Sequence, residues 1–273
     1  MTSTLPASQD VMYGERPPCN ANEPHTVEIK NVYKSFGSSH ILNGLSVDFK
    51  DNAITTVLGP SGTGKSVLLK HIVGLLEPDA GEVKVFGENI WNVPEVDRYE
   101  LRKRFGVLFQ DGALFGSMNL YDNVAFPLRK HTDKSEDEIR EIVMQNMREV
   151  GLEAAIHKAP NEISGGMRKR AGFARALVMR PDVVLFDEPD SGLDPVRTKL
   201  LSQLISEMHQ EHGGTYIVIT HDIPTARTVS DYVAVIWQGK MVHYGEADGA
   251  FGSDDPFVRQ FLAGAADGPL GMD

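Results

Sequence analysis

The chain has 273 residues, enough for one large domain with an inserted lobe, and its 41% hydrophobic and 24% charged residues are ordinary for a globular protein. Its 27 basic side chains against 38 acidic ones leave a net charge of −11, which argues against nucleic acid as the main partner, because duplex binding needs a basic surface. The single cysteine, Cys19, excludes an intramolecular disulfide and a cysteine-built metal cluster, and fits a reducing compartment.

Residues 1–24 are polar, carry Pro6, Pro17, Pro18 and Pro24, and hold no apolar block of the secretory type; they read as a disordered arm. The folded domain is expected over 25–254, followed by a C-terminal extension over 255–273. Alternation predicts strands at 27–32 and 45–49, and the apolar run 54–58 predicts a buried strand. Further strands are expected at 83–88 and 105–109. From about 111 to 180 the pattern turns helical and reads as a separate lobe. Within it Ile139, Ile142, Val143, Met147 and Val150 share one face, and Ser135 with Glu138 forms a capping-box pattern.

Strand character returns at 183–186, 216–219 and 232–236, with a helix at 197–212. Strands alternating with helices imply a largely parallel sheet covered on both faces. In the extension, Pro256 opens a short helix with Phe257, Phe261 and Leu262 on an apolar face. Two turns do not persist alone, so this helix must dock, on its own domain or across to another subunit. No apolar run approaches the ~18 residues that span a bilayer, so a membrane role must come through partners.

Residues 59–66 carry the chemistry. Gly59, Pro60, Ser61, Gly62, Thr63, Gly64, Lys65 and Ser66 fill the phosphate-loop pattern GxxxxGK[ST] between a strand and a helix. Glycines let successive N–H groups curl around a triphosphate at the positive end of that helix. Lys65 can reach the β/γ-phosphates, and the Ser66 hydroxyl can ligate Mg²⁺. This is a nucleoside triphosphate site.

The apolar run 183–186 ends in Asp187 and Glu188, delivered to the strand edge where ligands collect in open α/β sheets. Asp187 suits the Mg²⁺ shell, directly or through water, and Glu188 can polarise an attacking water. Gln110, after another strand, can reach the metal or that water, and His221 at a strand end can contact the γ-phosphate. Ser164-Gly165-Gly166 opens a helix and offers a second anion site. One γ-phosphate does not need two helix ends from one chain, so this second site serves the nucleotide bound by another copy.

With these motifs in order over about 27–245, the chain resembles the ATP-binding subunits of ABC transporters. GPSGTGKS looks like Walker A, Gln110 the Q-loop, ISGGM the signature, VVLFDE Walker B, 191–194 the D-loop with Asp194, and His221 the switch histidine. Phe36 matches the aromatic that stacks on adenine, while Met167 stands where the signature commonly has Gln. The resemblance implies a RecA-like core, an antiparallel β subdomain and an inserted helical lobe. It also implies an ATPase that forms a homodimer around two Mg²⁺-ATP and drives two integral-membrane permease subunits.

Residues 109–129, ISGGMRKRAGFARAL, DEPDSGLDPVRT and 258–262 resemble the Mce/Mla lipid-transport ATPases, nearest their actinobacterial Mce-associated branch. That resemblance implies lipid or sterol cargo, Mce-type lipid-binding proteins, a possible accessory subunit, and a peripheral place on the cytoplasmic face of the membrane. Leu114, Phe115, Leu120 and Tyr121 would line the permease groove or belong to the lobe's core. A soluble ABC ATPase of translation or repair would bring a second cassette or a long coiled coil, and neither is present. A regulatory switch that binds ATP without useful turnover would not need both Glu188 and His221.

Overall fold

The computed structural model describes residues 25–265 and 267–269. The arm expected over 1–24, with Cys19, lies outside the described residues, as do Ala266 and 270–273 of the expected extension.

Strands β1 (Val27–Phe36) and β2 (Ser39–Asp48) form an antiparallel pair, and β3 (Ile54–Leu58) carries the chain into the phosphate loop and helix α1 (Lys65–Ile72). Then come β4 (Ala80–Val85), β5 (Glu88–Asn89), α2 (Glu95–Arg102) and β6 (Phe105–Leu108). The lobe contributes α3 (Leu120–His131), α4 (Glu136–Glu149) and α5 (Gly165–Leu177). Strand β7 (Val183–Asp187), α6 (Pro195–His212), β8 (Thr215–Ile219), α7 (Ile223–Val229) and β9 (Tyr232–Trp237) complete the core. The edge strand β10 (Lys240–Glu246) and helices α8 (Ala247–Phe251) and α9 (Pro256–Ala263) follow.

Two sheets result. One is antiparallel in the order β2-β1-β4-β5; the other runs β10-β9-β3-β8-β7-β6, parallel except for the β9/β10 pair. The parallel core, the antiparallel sheet and the helical lobe are the α/β architecture the motifs implied. Because side chains alternate along a strand, β7 feeds two cores at once. Val184 and Phe186 pack with the lobe helices and α6, whereas Val183 and Leu185 pack with α1 and the antiparallel sheet.

The capping box at Ser135 forms, with the Ser135 hydroxyl accepting from Glu138 N–H and the Glu138 carboxylate accepting from Ser135 N–H at 2.8 Å. Helix α9 rests on its own domain: Val258 and Leu262 are buried against Leu58, Ala226 and Val235, with Phe257 and Phe261 at the margin. In the expected permease groove Leu120 is fully buried lobe core, Leu114 and Tyr121 are partly buried against it, and Phe115 is 43% exposed beside Phe126. Helices α2, α7 and α8 and strand β10 were not foreseen. Helix α2 buries no side chain, α7 and α8 are only seven and five residues long, and β10 is a half-exposed edge strand paired through β9, so none carries a strong apolar period.

Candidate functional site

Strand β3 ends at Leu58 and the chain turns back on itself through glycines before α1 begins. Gly59 adopts φ 156°, and a Cβ there would lie 2.3 Å from the Ile236 carbonyl, so no other residue fits. Gly64, left-handed at φ 97°, is the N-cap of α1 and provides no side-chain cap, which leaves the helix's first N–H groups free for an anion. Phe36, Ser61, Gly62, Gly64, Lys65, Ser66 and Glu188 all border one cleft of about 330 Å³.

Lys65 is folded inward. Its Nζ donates to the Gly59 and Pro60 carbonyls at 2.7 and 2.9 Å, and Thr63 Oγ1 also donates to Pro60 at 2.9 Å. Burial pulls the Lys65 ammonium below its ordinary value, against the attraction of Glu188 and Asp187. Ser66 Oγ donates to Asp187 Oδ1 at 2.9 Å. Burial pushes the Asp187 carboxyl above the usual carboxylate range, with Glu188 adding to the rise and the Ser66 hydrogen bond, Lys70 and Lys65 opposing it. A hydroxyl and a carboxylate oxygen in contact make an oxygen-only donor set, which suits Mg²⁺ rather than a softer metal.

Glu188 follows in a left-handed conformation, φ 49°, that a side chain bearing a Cβ adopts at a cost. Its N–H is held by the Ile219 carbonyl at 2.9 Å, and its Oε1 stands 3.5 Å from His221 Nδ1. Glu188 in this conformation borders the phosphate cleft. His221, half exposed, follows Thr220, whose Oγ1 donates to Asp190 Oδ1 at 2.7 Å. Gln110 stands apart from the Ser66–Asp187 pair: its Nε2 donates to Ser191 Oγ at 2.9 Å.

The structure therefore gathers Phe36, the phosphate loop, Asp187, Glu188 and His221 along one edge of the core. It keeps Ser164, Gly165 and Gly166 elsewhere, at the start of α5. Ser164 is exposed and its hydroxyl accepts from Met167 N–H at 3.3 Å. Asp194 caps α6, accepting from Val196 and Arg197 N–H groups at 3.1 and 3.0 Å. Met167, Leu193 and Gly166 share a cavity of about 420 Å³ between α5 and α6, outside the phosphate cleft.

Sequence reasoning passed over the buried polar ties behind these groups. Lys169, Asp190 and Thr220 are all buried, and Lys169 and Thr220 bond to the segment that follows Glu188, Thr220 through Asp190. The available signal was Lys169 four residues before buried Phe173, a cation on the apolar face of a helix.

The profile of the family described as ABC transporter matches residues 42–191. The chain is 52% identical over 246 residues to the probable ribonucleotide transport ATP-binding protein mkl of Mycobacterium leprae, covering 90% of this chain and 71% of that protein. It is 41% identical over 244 residues to the intermembrane phospholipid transport system ATP-binding protein MlaF of Escherichia coli K12, covering 89% and 91% of the two chains. Among solved structures, the dimeric ATP-binding cassette MJ0796 in a post-hydrolysis state with ADP and Pi superposes with a TM-score of 0.74 at 28% identity, covering 81% of this chain and 98% of that one.

Proposed function

The chain belongs to the ABC transporter family as an ATP-binding subunit that hydrolyses ATP to drive transport, and from that premise we propose how its own residues divide the work. The phosphate loop, residues 59–66, holds the triphosphate of ATP, with Lys65 leaving the Gly59 and Pro60 carbonyls to meet phosphate oxygens. Phe36 stacks on adenine. Mg²⁺ would be held by Ser66 and Asp187, joined by Gln110 once it releases Ser191. When bound, the metal neutralises charge on the phosphate oxygens. Glu188 acts as general base toward water, and His221 contacts the γ-phosphate. The observation that carries this reading is that Glu188 borders the phosphate cleft while its carboxylate stands 3.5 Å from His221, beside the Ser66–Asp187 pair.

Ser164, Gly165 and Gly166 serve the ATP of a second copy, with Asp194 also among the nucleotide-binding residues, so the working unit is a homodimer. Ser164 and Gly166 border a cavity other than the chain's own phosphate cleft, which supports this. The functional cassette spans 25–254, with its lobe over about 111–180 and an extension from 255. Mixing Lys65→Ala and Ser164→Ala chains tests the arrangement: a heterodimer has one site with both lesions and one with neither. Hydrolysis should recover above that of either parent. Recovery no better than the parents overturns the trans assignment.

The dimer engages two integral-membrane permease subunits on the cytoplasmic face, a peripheral position consistent with no helix among the described residues being long and apolar enough to cross a membrane. We read the cargo as lipid or sterol, delivered with Mce-type lipid-binding proteins and an accessory subunit. The identity to MlaF over nearly its whole length supports this. The name of mkl favours ribonucleotides instead. Mass spectrometry of the native complex decides: co-purified lipid is expected, and retention of a ribonucleotide other than ATP or ADP with no lipid overturns the lipid reading.

A further inference from the structure

Helix α5 does more than present Ser164 at its start. Lys169, Gly172 and Arg175, spaced by three, lie on one face and grip two loops of the core. Gly172 lets the loop after β6 approach so closely that a Cβ would meet the Gly112 carbonyl at 2.8 Å. Arg175 donates to the carbonyls of Ala113 and Gly112 at 2.8 and 3.0 Å. Lys169, only 4% exposed, reaches the other loop, donating to the Pro189 carbonyl at 2.7 Å and to the Ser191 carbonyl.

That second loop is where the catalytic groups meet. Ser191 N–H donates to the Glu188 carbonyl at 3.2 Å, and Ser191 Oγ accepts from Gln110 at 2.9 Å. Asp190 accepts from Thr220, the residue before His221, at 2.7 Å. Segment 189–191 thus touches the backbone of Glu188, the side chain of Gln110 and the neighbour of His221. A lobe helix holds it from behind.

We infer that Lys169 is a positioning residue for ATP hydrolysis, fixing segment 189–191 so that the place of α5 sets the place of Glu188. The inference rests on the reading of Glu188 as general base. An ammonium is a costly group to bury, and here burial pulls it below its ordinary value while Asp190, Asp111 and Glu188 draw it back. A side chain kept only for packing would be apolar at this position, as its neighbours Ala171 and Phe173 are. Lys169 satisfies two carbonyls of one loop and borders no part of the nucleotide cleft. Its loss should therefore move the base and leave nucleotide binding alone.

The test measures kcat, KM for Mg²⁺-ATP and melting temperature of the full chain with Lys169→Met and Lys169→Gln. Small misplacements of a catalytic group cost up to ~10²-fold, so kcat should fall about 10–100-fold in the Met variant, and less in the Gln variant, which keeps an NH₂ donor group on a shorter stem. KM should stay within about 3-fold in both, since the cleft is untouched. If the Met variant aggregates, the Gln variant carries the same test. Wild-type kcat in the folded variants, or a raised KM with kcat unchanged, overturns the inference. Glu188→Gln is measured alongside. If that variant turns over normally the base reading fails; if it is silent while both Lys169 variants are normal, only the positioning role fails.

Discussion

Helix α1 begins on Gly64, left-handed and without a side-chain cap, whereas α5 begins on Ser164, extended at φ −68° with its hydroxyl accepting from its own third residue. Neither first turn holds an acidic residue, so both helix ends repel no anion. The difference lies in what fills the seat. At α1 the free N–H groups, the buried Lys65 and the Ser66–Asp187 pair already surround a phosphate-sized space within one chain. At α5 the serine closes its own helix end, and the neighbouring Arg168 turns back to the Ile163 carbonyl at 3.0 Å. In the proposed reading, one seat holds a phosphate within one chain, and the other spares its serine for a phosphate arriving from a second copy.

The strongest way to break this comparison is Glu188→Gln. The amide cannot take a proton, so turnover should fall about 10²–10⁴-fold while ATP binding persists. Dimers should then accumulate with ATP, because α5 stays engaged on a nucleotide that is not consumed; phosphate release and light scattering read the two effects. Near-normal phosphate release removes Glu188 from the mechanism.

Lys65→Ala should weaken nucleotide affinity of the isolated chain by about 10–100-fold, the worth of one charged hydrogen-bonding group. Titration with a fluorescent nucleotide measures it, and an unchanged affinity would mean that the loop's N–H groups suffice. Ser164→Ala should leave that affinity unchanged and lower hydrolysis by the dimer. It also removes a helix cap, worth about 1 kcal/mol, so a drop of about 2–4 °C in melting temperature should accompany it. Loss of affinity in the isolated chain would place Ser164 at its own nucleotide and dissolve the contrast between the two helix ends.

The smallest effect sharpens the contrast from below. His71, in the last turn of α1, is fully buried, and its ring donates to the Val67 carbonyl at 2.6 Å. Burial holds the imidazole below its ordinary value, with Lys34 adding to the fall and Val67 and Asp79 opposing it. In the fold His71 stays neutral at pH values where the unfolded chain protonates it. Below about pH 6.5 the unfolded state then binds more protons, so stability falls as pH falls, and above that value the effect vanishes. Wild-type melting temperature should drop more steeply from pH 7 to pH 5.5 than that of His71→Gln. Parallel curves for the two proteins would count against a neutral buried His71.

What could be read from the sequence was whatever is settled within a few residues. The glycine turn of 59–64, the Ser135–Glu138 box and the serine opening α5 are hydrogen-bonded units closed inside one turn of chain, so residue type and spacing determine them. The apolar runs of β3, β7, β8 and β9 fixed a parallel core for a similar reason: strands buried on both faces leave no room for polar alternation. Tertiary structure alone decided the rest. Leu120 went to the core and Phe115 to the surface although both are apolar, because only the packing of α3 against α4 and α5 says which side is closed. Gln110 found Ser191 at a separation of 81 residues, and Lys169 was buried by a loop 20 residues ahead. A buried polar group is paired by whatever the fold brings alongside it. That partner is a property of the packed chain, which no local pattern encodes.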